Sequence, residues 1–193
     1  NEPGLIGVVG GAEYVRINDE DHPQHQTLRV NAGDKIHIGP SRPGCRSYLA
    51  ISAKIQSDRL LGAQSTYLAA GLGGFHGRAL KIEDVIAFSQ NSSTIDVDRV
   101  TPENLRPYYN DDHLLRVTRG PEANKPNEGV LDDLCLTPYA VGARANRMGM
   151  ALEGAPLMTD QSSNMPSAAV FPGTIQLPPS GQPYLLGPDA QTT

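Results

Sequence analysis

Glycine and proline punctuate this chain from end to end and limit the length of any regular element. Together they make up 36 of its 193 residues, 20 Gly and 16 Pro, without a collagen-like period. Because both residues favour turns and interrupt helices, the chain is neither a coiled coil nor a helical solenoid. Short strands separated by turns are the expected result, so the sequence predicts a mostly β protein, either a barrel or a sandwich.

Charge and hydropathy argue against two classes of partner. The net charge is −5, and the Lys and Arg residues are scattered along the chain, whereas a nucleic-acid-binding domain needs a basic face. Aromatic residues make up only 5% and Trp is absent, which argues against base stacking. No apolar run approaches the ~20 residues of a membrane span. We therefore expect neither nucleic acid nor a membrane as a partner.

Two cysteines, Cys45 and Cys135, lie 90 positions apart. The chain shows no signal-peptide pattern, and disulfides are rare in the reducing cytoplasm. We expect both cysteines to be reduced and the protein to be cytoplasmic.

Apolar runs and alternating segments predict short strands throughout the chain. These strands lie at residues 5–9, 13–17, 28–30, 35–38, 47–51, 79–87, 114–119, 148–152, 170–179 and 182–186. The prolines in the 170–179 strand place it at a sheet edge. A short helix is predicted at 127–136, and a single helical turn starts at Thr101 with Pro102 in its first position.

The apolar period fades between residues 89 and 113, where Ser, Asn, Asp and Pro dominate. This segment is predicted to be a linker between domains at 1–88 and 114–193. In the first of these domains, Asp34 and Asp84 each come just before an alternating apolar segment. An acid in that place accepts backbone N–H bonds in a tight turn, although the shared pattern is too short to establish a repeat.

Motifs for metals, nucleophiles and phosphate are weak. His22 and His25 are three residues apart but lie in a polar segment, and no CxxC is present, so we expect no bound metal. The serine-nucleophile motif GxSxG is also absent from the sequence. The glycine-rich segment GLGGFHGR at 71–78 superficially resembles a phosphate loop. Such a loop ends in Gly-Lys-Ser/Thr before a helix, whereas this one leads into a strand pattern and is predicted to be a turn.

Several polar residues of the second half lie inside or beside segments that are apolar or contain proline. They are Asn146, Arg147, Gln176, Gln182, Asp189 and Gln191. A buried amide or guanidinium is costly unless it is hydrogen-bonded. One interpretation is that these residues satisfy turns and edges, with Arg147 bound to a carboxylate such as Glu153. The other is a pocket for a small amide or carboxylate, with Arg147 as a two-point clamp. The residues alone leave both open.

Nine short motifs follow one another in a characteristic order. They are GCRSYLA (44–50), LGAQST (61–66), GLGGFHGRAL (71–80), RGPE (119–122), ANRMG (145–149), LEG (152–154), PGTIQLP (172–178), GQP (181–183) and DAQTT (189–193). In this order they resemble the biotin-dependent carboxyltransferase family. That family includes KipA, the C subunit of 5-oxoprolinase (PxpC), the proteins labelled allophanate hydrolase subunit 2 and the carboxyltransferase domain of urea carboxylase.

The resemblance implies two cyclophilin-like β-barrels. Members of the family carry a stretch before the position of Leu5 and continue past Thr193, so we expect the chain to be a central fragment with both barrels incomplete. Two departures stand out in the first half. The family usually has Gly-Gly-Ile/Phe where this chain has SAKI at 52–55, and it commonly has Ser-Thr-Asp where this chain has STY at 65–67.

The resemblance also implies partners and an activity. The implied partners are a KipI/PxpB-type subunit and a LamB/YcsF (PxpA)-type subunit, which complete an ATP-dependent hydrolase that opens 5-oxoproline to glutamate. Two alternatives remain: a carboxyltransferase that moves a carboxyl group from carboxybiotin on a partner to urea, and a non-enzymatic regulator that binds a KipI-type protein. We expect no cofactor bound tightly by this chain itself and a small-molecule amide as substrate.

Both activities polarise a planar amide, which suggests roles for the motif residues. The predicted catalytic residues are Arg147, Gln176 and Gln191, and the predicted substrate-binding residues are Gly71, Gly73, Gly74, Asn146 and Asp189. Backbone N–H groups of the glycine-rich segment would stabilise negative charge on the amide oxygen. The two glutamines would contact the amide edge.

The cysteine interpretation leads to a direct test. Free-thiol titration of the denatured, unreduced protein should count two thiols per chain. A count of zero would contradict the cytoplasmic assignment as well as the reduced state.

Overall fold

The structure is a computed structural model that describes residues 3–42, 44–89, 98–110, 114–123, 129–158 and 168–190. The chain divides into two compact units, Asn1–Leu114 and Leu115–Thr193. Strands far outnumber helices in the described residues of both units. The prediction of a mostly β protein is confirmed.

The first unit contains eight described strands in three antiparallel sheets. The strands are β1 (Gly4–Gly10), β2 (Val15–Ile17), β3 (Glu20–His22), β4 (Thr27–Val30), β5 (Ile36–Ile38), β6 (Ser47–Ile51), β7 (Lys54–Ile55) and β8 (Phe88–Ser89). The sheet orders are β4-β1-β6, β3-β2-β5 and β7-β8. Five of the predicted strands, those at 5–9, 13–17, 28–30, 35–38 and 47–51, are confirmed within one or two residues.

The core of the first unit lies on one face of β1 and β2. Ile6 and Val8 alternate along β1, and Val15 and Ile17 alternate along β2, so that all four side chains are buried in one cluster. This follows from the two-residue period of a strand, which sends every second side chain to the same face. Leu28 of β4 completes the central part of the cluster.

The second unit has one helix and one antiparallel sheet among its described residues. The elements are α1 (Val130–Leu136), β9 (Ala140–Val141), β10 (Gly149–Glu153), β11 (Ile175–Gln176) and β12 (Tyr184–Leu186), with the sheet order β11-β12-β10-β9. The predicted edge strand is confirmed, since β11 pairs only with β12 in the described sheet. The predicted helix is confirmed from Val130 onward, and its first residues at 127–128 lie outside the described part.

The prediction of a strand at 79–87 is wrong. Instead, the carboxylate of Asp84 accepts the backbone N–H of Lys81 at 2.6 Å, and Glu83 adopts a left-handed φ of 72°. This side-chain hydrogen bond competes with strand pairing and curls the segment into a turn. Consequently Ile82 is 95% exposed, and only the two-residue β8 follows. The predicted role of Asp84 as an acceptor of a turn N–H is confirmed.

The prediction of a strand at 114–119 is also wrong. These residues carry an alternating apolar pattern, but no described strand pairs with them, and Leu114 and Leu115 are exposed. An apolar period alone does not make a strand, because the backbone N–H and C=O groups need a neighbouring strand. Within the described residues none of the four sheets closes into a barrel. The two cyclophilin-like barrels stay a prediction.

Part of the predicted linker is hydrogen-bonded to the first unit. The N–H of Thr27 donates to the carbonyl of Arg99 at 2.8 Å, and the N–H of Thr101 donates to the carbonyl of His25 at 2.7 Å. A single 3-10 turn, Glu103–Leu105, follows Pro102, close to the helical turn that the sequence predicts. Both cysteines are free and exposed. In the described part of the chain, no helix combines the length and apolar character needed to cross a membrane.

The core alternation leads to a matched test on β1. Val8 is fully buried, whereas its neighbour Val9 faces the other side of the strand and is 38% exposed. We expect Val8→Ala to lower the free energy of unfolding by about 2 kcal/mol, because two buried methyl groups are lost. Val9→Ala should cost clearly less in the same thermal and chemical denaturation measurements. Equal losses would contradict the assignment of the core face.

Candidate functional site

Arg147 and Asp189, which the sequence singled out separately, form a two-point ion pair. The Nε of Arg147 donates to Oδ2 of Asp189 at 2.6 Å, and Nη2 donates to Oδ1 at 2.8 Å. The planar guanidinium and the planar carboxylate match each other in this fork arrangement. The carboxylate held by Arg147 in this contact belongs to Asp189, 42 residues away along the chain.

Backbone hydrogen bonds lock together the two segments that carry this pair. The N–H of Asp189 donates to the carbonyl of Arg147 at 3.0 Å, and the N–H of Gly187 donates to the carbonyl of Met148 at 2.9 Å. A Cβ on Gly187 would collide with the carbonyl of Arg147, so this approach requires glycine. We call residues 146–149 and 187–189 the Arg147 corner.

Asn146 has a structural part in the Arg147 corner. Its Oδ1 accepts the backbone N–H of Met148 at 2.8 Å, which fixes the turn that leads into β10. Asn146 also lines a surface pocket of about 280 Å³ together with Gly142, Arg144, Ala151, Glu153 and Tyr184. Arg147 and Gln176 are not among the residues that line it. Of the predicted site residues of the second unit that the structure describes, Asn146 alone lies at this pocket.

The ion pair between Arg147 and Asp189 leaves the Arg147 corner with little net charge to attract an anion. The side chains of Arg147 and Asp189 are 53% and 44% exposed, and their charges cancel. Solvent-exposed ion pairs of this kind contribute little to stability. An anionic substrate would therefore compete with Asp189 for the guanidinium or share it with Asp189.

The structure places one of the two predicted catalytic glutamines. Gln176 lies half-buried on the edge strand β11, opposite Tyr184 of β12. Gln191 lies outside the described residues. Their predicted contacts with an amide edge stay predictions.

The glycine-rich segment of the first unit is a folded lobe of turns at residues 58–78. Asp58 and Gly74 exchange backbone hydrogen bonds of 2.9 and 3.1 Å, and Tyr67 and Leu72 exchange another pair of 2.8 and 3.2 Å. Described residues 78–87 contain no helix. The prediction that this segment is a turn and not a phosphate loop is confirmed.

The lobe uses most of the N–H groups that the sequence assigned to substrate. The N–H groups of Gly71, Leu72 and Gly74 all donate to main-chain carbonyls. Among the described residues, the N–H of Gly73 has no hydrogen-bond partner. Stabilisation of an amide oxygen by this segment would thus depend on one N–H group, whereas an oxyanion hole commonly has two.

Sequence reasoning missed the arginine that closes this lobe. Arg78 donates to both carboxylate oxygens of Asp84 at 2.7 Å and lies over the ring of Phe75, 5.1 Å from its centre. The guanidinium, followed by the N–H of Lys81, lowers the pKa of Asp84 far below its ordinary value. The contribution of this charged carboxylate to stability is therefore full at neutral pH and is lost as the pH falls below about 4 toward the lowered value.

A metal centre finds no support in the described part of the chain. No group of three or more His, Cys, Asp or Glu side chains lies together there. His76 Nδ1 approaches Asp58 Oδ2 to 3.8 Å, which is too long for the hydrogen bond of a catalytic dyad.

The family follows from comparison with known proteins. The model of the carboxyltransferase domain, subdomain A and B, matches residues 1–193. The chain belongs to this carboxyltransferase family. It is 28% identical to the C subunit of 5-oxoprolinase from Escherichia coli (strain K12) over 190 residues, which cover 98% of this chain and 60% of that protein.

Two fungal proteins extend the comparison. The chain is 32% identical to the urea amidolyase of Lachancea kluyveri over 163 residues, which cover 78% of this chain and 9% of that protein. Its fold superposes on the urea carboxylase of Kluyveromyces lactis with a TM-score of 0.81 at 24% identity, covering 99% of this chain and 19% of that one. The chain thus spans less than two thirds of each of these proteins, 60% of the Escherichia coli C subunit and a much smaller share of the other two. It is a carboxyltransferase-family component in sequence and in fold.

Two glycines of the lobe offer a matched test of its packing. Gly71 and Gly74 both have a left-handed φ, of 65° and 57°, but a Cβ on Gly71 meets no atom within 4 Å, whereas a Cβ on Gly74 would collide with the Thr66 side chain. Gly71→Ala should cost about 1 kcal/mol from backbone strain alone. Gly74→Ala should cost clearly more, measured as the midpoint of thermal denaturation. Equal midpoints would contradict the close packing of the lobe.

Proposed function

We propose that this chain corresponds to the C subunit of an ATP-dependent 5-oxoprolinase, which opens 5-oxoproline to glutamate. The observation that carries the proposal is the similarity to the Escherichia coli C subunit along 98% of the chain. A second such protein, from Haemophilus influenzae, is 27% identical over 96% of the chain. The similarity to these two bacterial proteins covers nearly all of this chain, whereas the similarity to urea amidolyase covers 78% of it.

A biotin-dependent urea carboxylase is the second candidate. The higher identity to urea amidolyase, 32%, favours it. In this case the carboxyl group would come from carboxybiotin on a partner. In the first case the assembled complex would use ATP. This chain is not expected to hold either cofactor tightly by itself.

The two candidate reactions make similar demands on the residues of the chain. Each must polarise a planar amide whose oxygen gains negative charge, and donors aimed at that oxygen lower the barrier. The Gly73 N–H is one such donor in the first unit. In the second unit, Arg147 would supply a positive charge held by Asp189, in a turn that Asn146 fixes, and Gln176 and Gln191 would contact the amide edge.

Assembly and fold detail are part of the same proposal. The expected partners are a KipI/PxpB-type subunit and a LamB/YcsF (PxpA)-type subunit, and the expected location is the cytoplasm. Each unit of this chain would belong to a cyclophilin-like barrel.

Reconstitution distinguishes the two candidate functions. The full-length protein is combined with its partner subunits and assayed for ATP-dependent loss of 5-oxoproline, and in parallel for biotin-dependent carboxylation of urea. Turnover of 5-oxoproline supports the first proposal, and turnover of urea alone replaces it with the second. The gene neighbourhood gives an indication before any assay. A neighbouring LamB/YcsF-type gene would favour the 5-oxoprolinase, and a neighbouring biotin carboxylase gene would favour the urea carboxylase.

Arg147 offers the sharpest mutational test of the proposed chemistry. Arg147→Lys keeps the charge but loses the planar two-point contact. If Arg147 acts on the substrate, kcat/KM of the reconstituted complex should fall by about 30-fold or more, which corresponds to about 2 kcal/mol.

Two controls accompany this test. Arg16→Lys disturbs another exposed pair, in which Arg16 Nε lies 2.7 Å from Asp21 Oδ1, and it should leave turnover unchanged. Asp189→Asn keeps the shape of the corner but removes its negative charge, so an anionic substrate should bind with a lower KM. If Arg147→Lys lowers only the denaturation midpoint while turnover stays normal, then Arg147 is a structural residue of the corner.

A further inference from the structure

A second polar pocket lies in the first unit, and none of the residues that the motifs assign to substrate lines it. It has a volume of about 320 Å³ and is lined by Lys54, Ile55, Gln56, Ser57, Arg59, Gln64 and Ser89. This volume is at the lower end of the range for small-molecule sites. Two of its lining residues are cations, and none is an acid.

The local fold explains how the two cations come to share one pocket. Lys54 stands on β7, opposite Ser89 of β8. After Arg59 the chain reverses in a two-residue hairpin, in which Leu60 and Ala63 exchange backbone hydrogen bonds of 3.0 and 2.9 Å. The reversal brings Gln64 back over β7.

Gln64 then fastens the base of the pocket. Its Nε2 donates to the carbonyl of Ile55 and to Oγ of Ser57, both at 3.1 Å. Since Ser57 Oγ accepts this bond, its own hydrogen must point away from Gln64 and is available as a donor. Ser57, Gln64 and Ser89 are half-buried, whereas Lys54 and Arg59 are exposed. The pocket therefore has a fixed polar base and two cations at its rim.

The positive charge of this pocket is uncompensated in the described part of the chain. Neither Lys54 nor Arg59 forms an ion pair with a described residue. Asp58, the acid next to Arg59 in sequence, does not line the pocket, and its Oδ2 lies 3.8 Å from Nδ1 of His76.

We propose that this pocket binds a small oxyanion, a carboxylate or a phosphate, through Lys54 and Arg59. The guanidinium would supply a planar two-point contact, and the ammonium would supply a second charge. Ile55, which is 42% exposed, would contact a short hydrocarbon part of a carboxylate ligand. The site rests on the residues that line this pocket and does not depend on the proposed function.

Titration of the ¹⁵N-labelled full-length protein tests this site. Acetate and inorganic phosphate are added separately at constant ionic strength, and the shifts of backbone amides and of arginine Nε are followed by two-dimensional NMR. We expect saturable shifts centred on Ser57, Arg59 and Gln64 with at least one of the two anions. The stronger anion identifies the ligand class. Shifts that do not saturate, or that spread over all surface cations, would overturn the proposal.

Charge-removing variants provide the matched control. Lys54→Gln and Arg59→Gln should each weaken binding by about tenfold, whereas Lys35→Gln, an equal change of charge at an exposed lysine outside the pocket, should leave the dissociation constant within about twofold. Equal weakening in all three variants would show unspecific attraction and overturn the site. The NMR spectrum of each variant verifies its fold, and the mapping on the unmodified protein stands independently of the variants.

Discussion

Aspartate carboxylates hold the turns of this protein, and its short strands depend on those turns. Asp34 accepts the backbone N–H of Asn31 at 2.7 Å, and Asp84 accepts that of Lys81 in the same spacing. A donor from elsewhere in the chain binds the second oxygen of each carboxylate, the amide of Asn18 in one case and the guanidinium of Arg78 in the other. In both cases these donors lower the pKa of the carboxyl group. With strands of two to seven residues, sheet ladders satisfy few backbone groups, so the side chains of the turns must satisfy others.

The elements that sequence reasoning predicted well are those whose pattern and pairing agree. In β1, Ile6 and Val8 alternate with exposed or half-buried neighbours, and strands pair with it on both sides. Residues 79–87 show the same apolar period, yet Leu80, Ile82 and Val85 are exposed. The period describes which side chains could share a face, but the carboxylate of Asp84 decides that the backbone turns. The signal was present, because the sequence already placed an N–H-accepting acid there, but a local pattern cannot say whether a turn or a strand prevails.

The candidate site was predictable as a set of residues but not as a set of contacts. Arg147 and Asp189 each stood out by type and by motif, but 42 positions separate them, and no spacing rule links such a pair. Their contact depends on the close approach of the two segments at Gly187, which only the fold reveals. The same applies to the glycine-rich lobe. Its glycines were predicted to present N–H groups to a ligand, whereas the nested turns use all but one of the N–H groups from Gly71 to Gly74.

The pairing of arginines with aspartates also determines where this acidic chain can attract an anion. Arg16, Arg78 and Arg147 each lie within 2.7 Å of an aspartate oxygen. Each pair therefore orders a turn or a strand but adds little net electrostatic potential. Attraction requires a cation that no carboxylate neutralises, because the field of a close ion pair falls off much faster than that of a single charge. Among the described pockets, the one that contains Lys54 and Arg59 meets this condition, since no acid lines it. In a chain of net negative charge, the absence of a carboxylate identifies an anion site better than the presence of an arginine does.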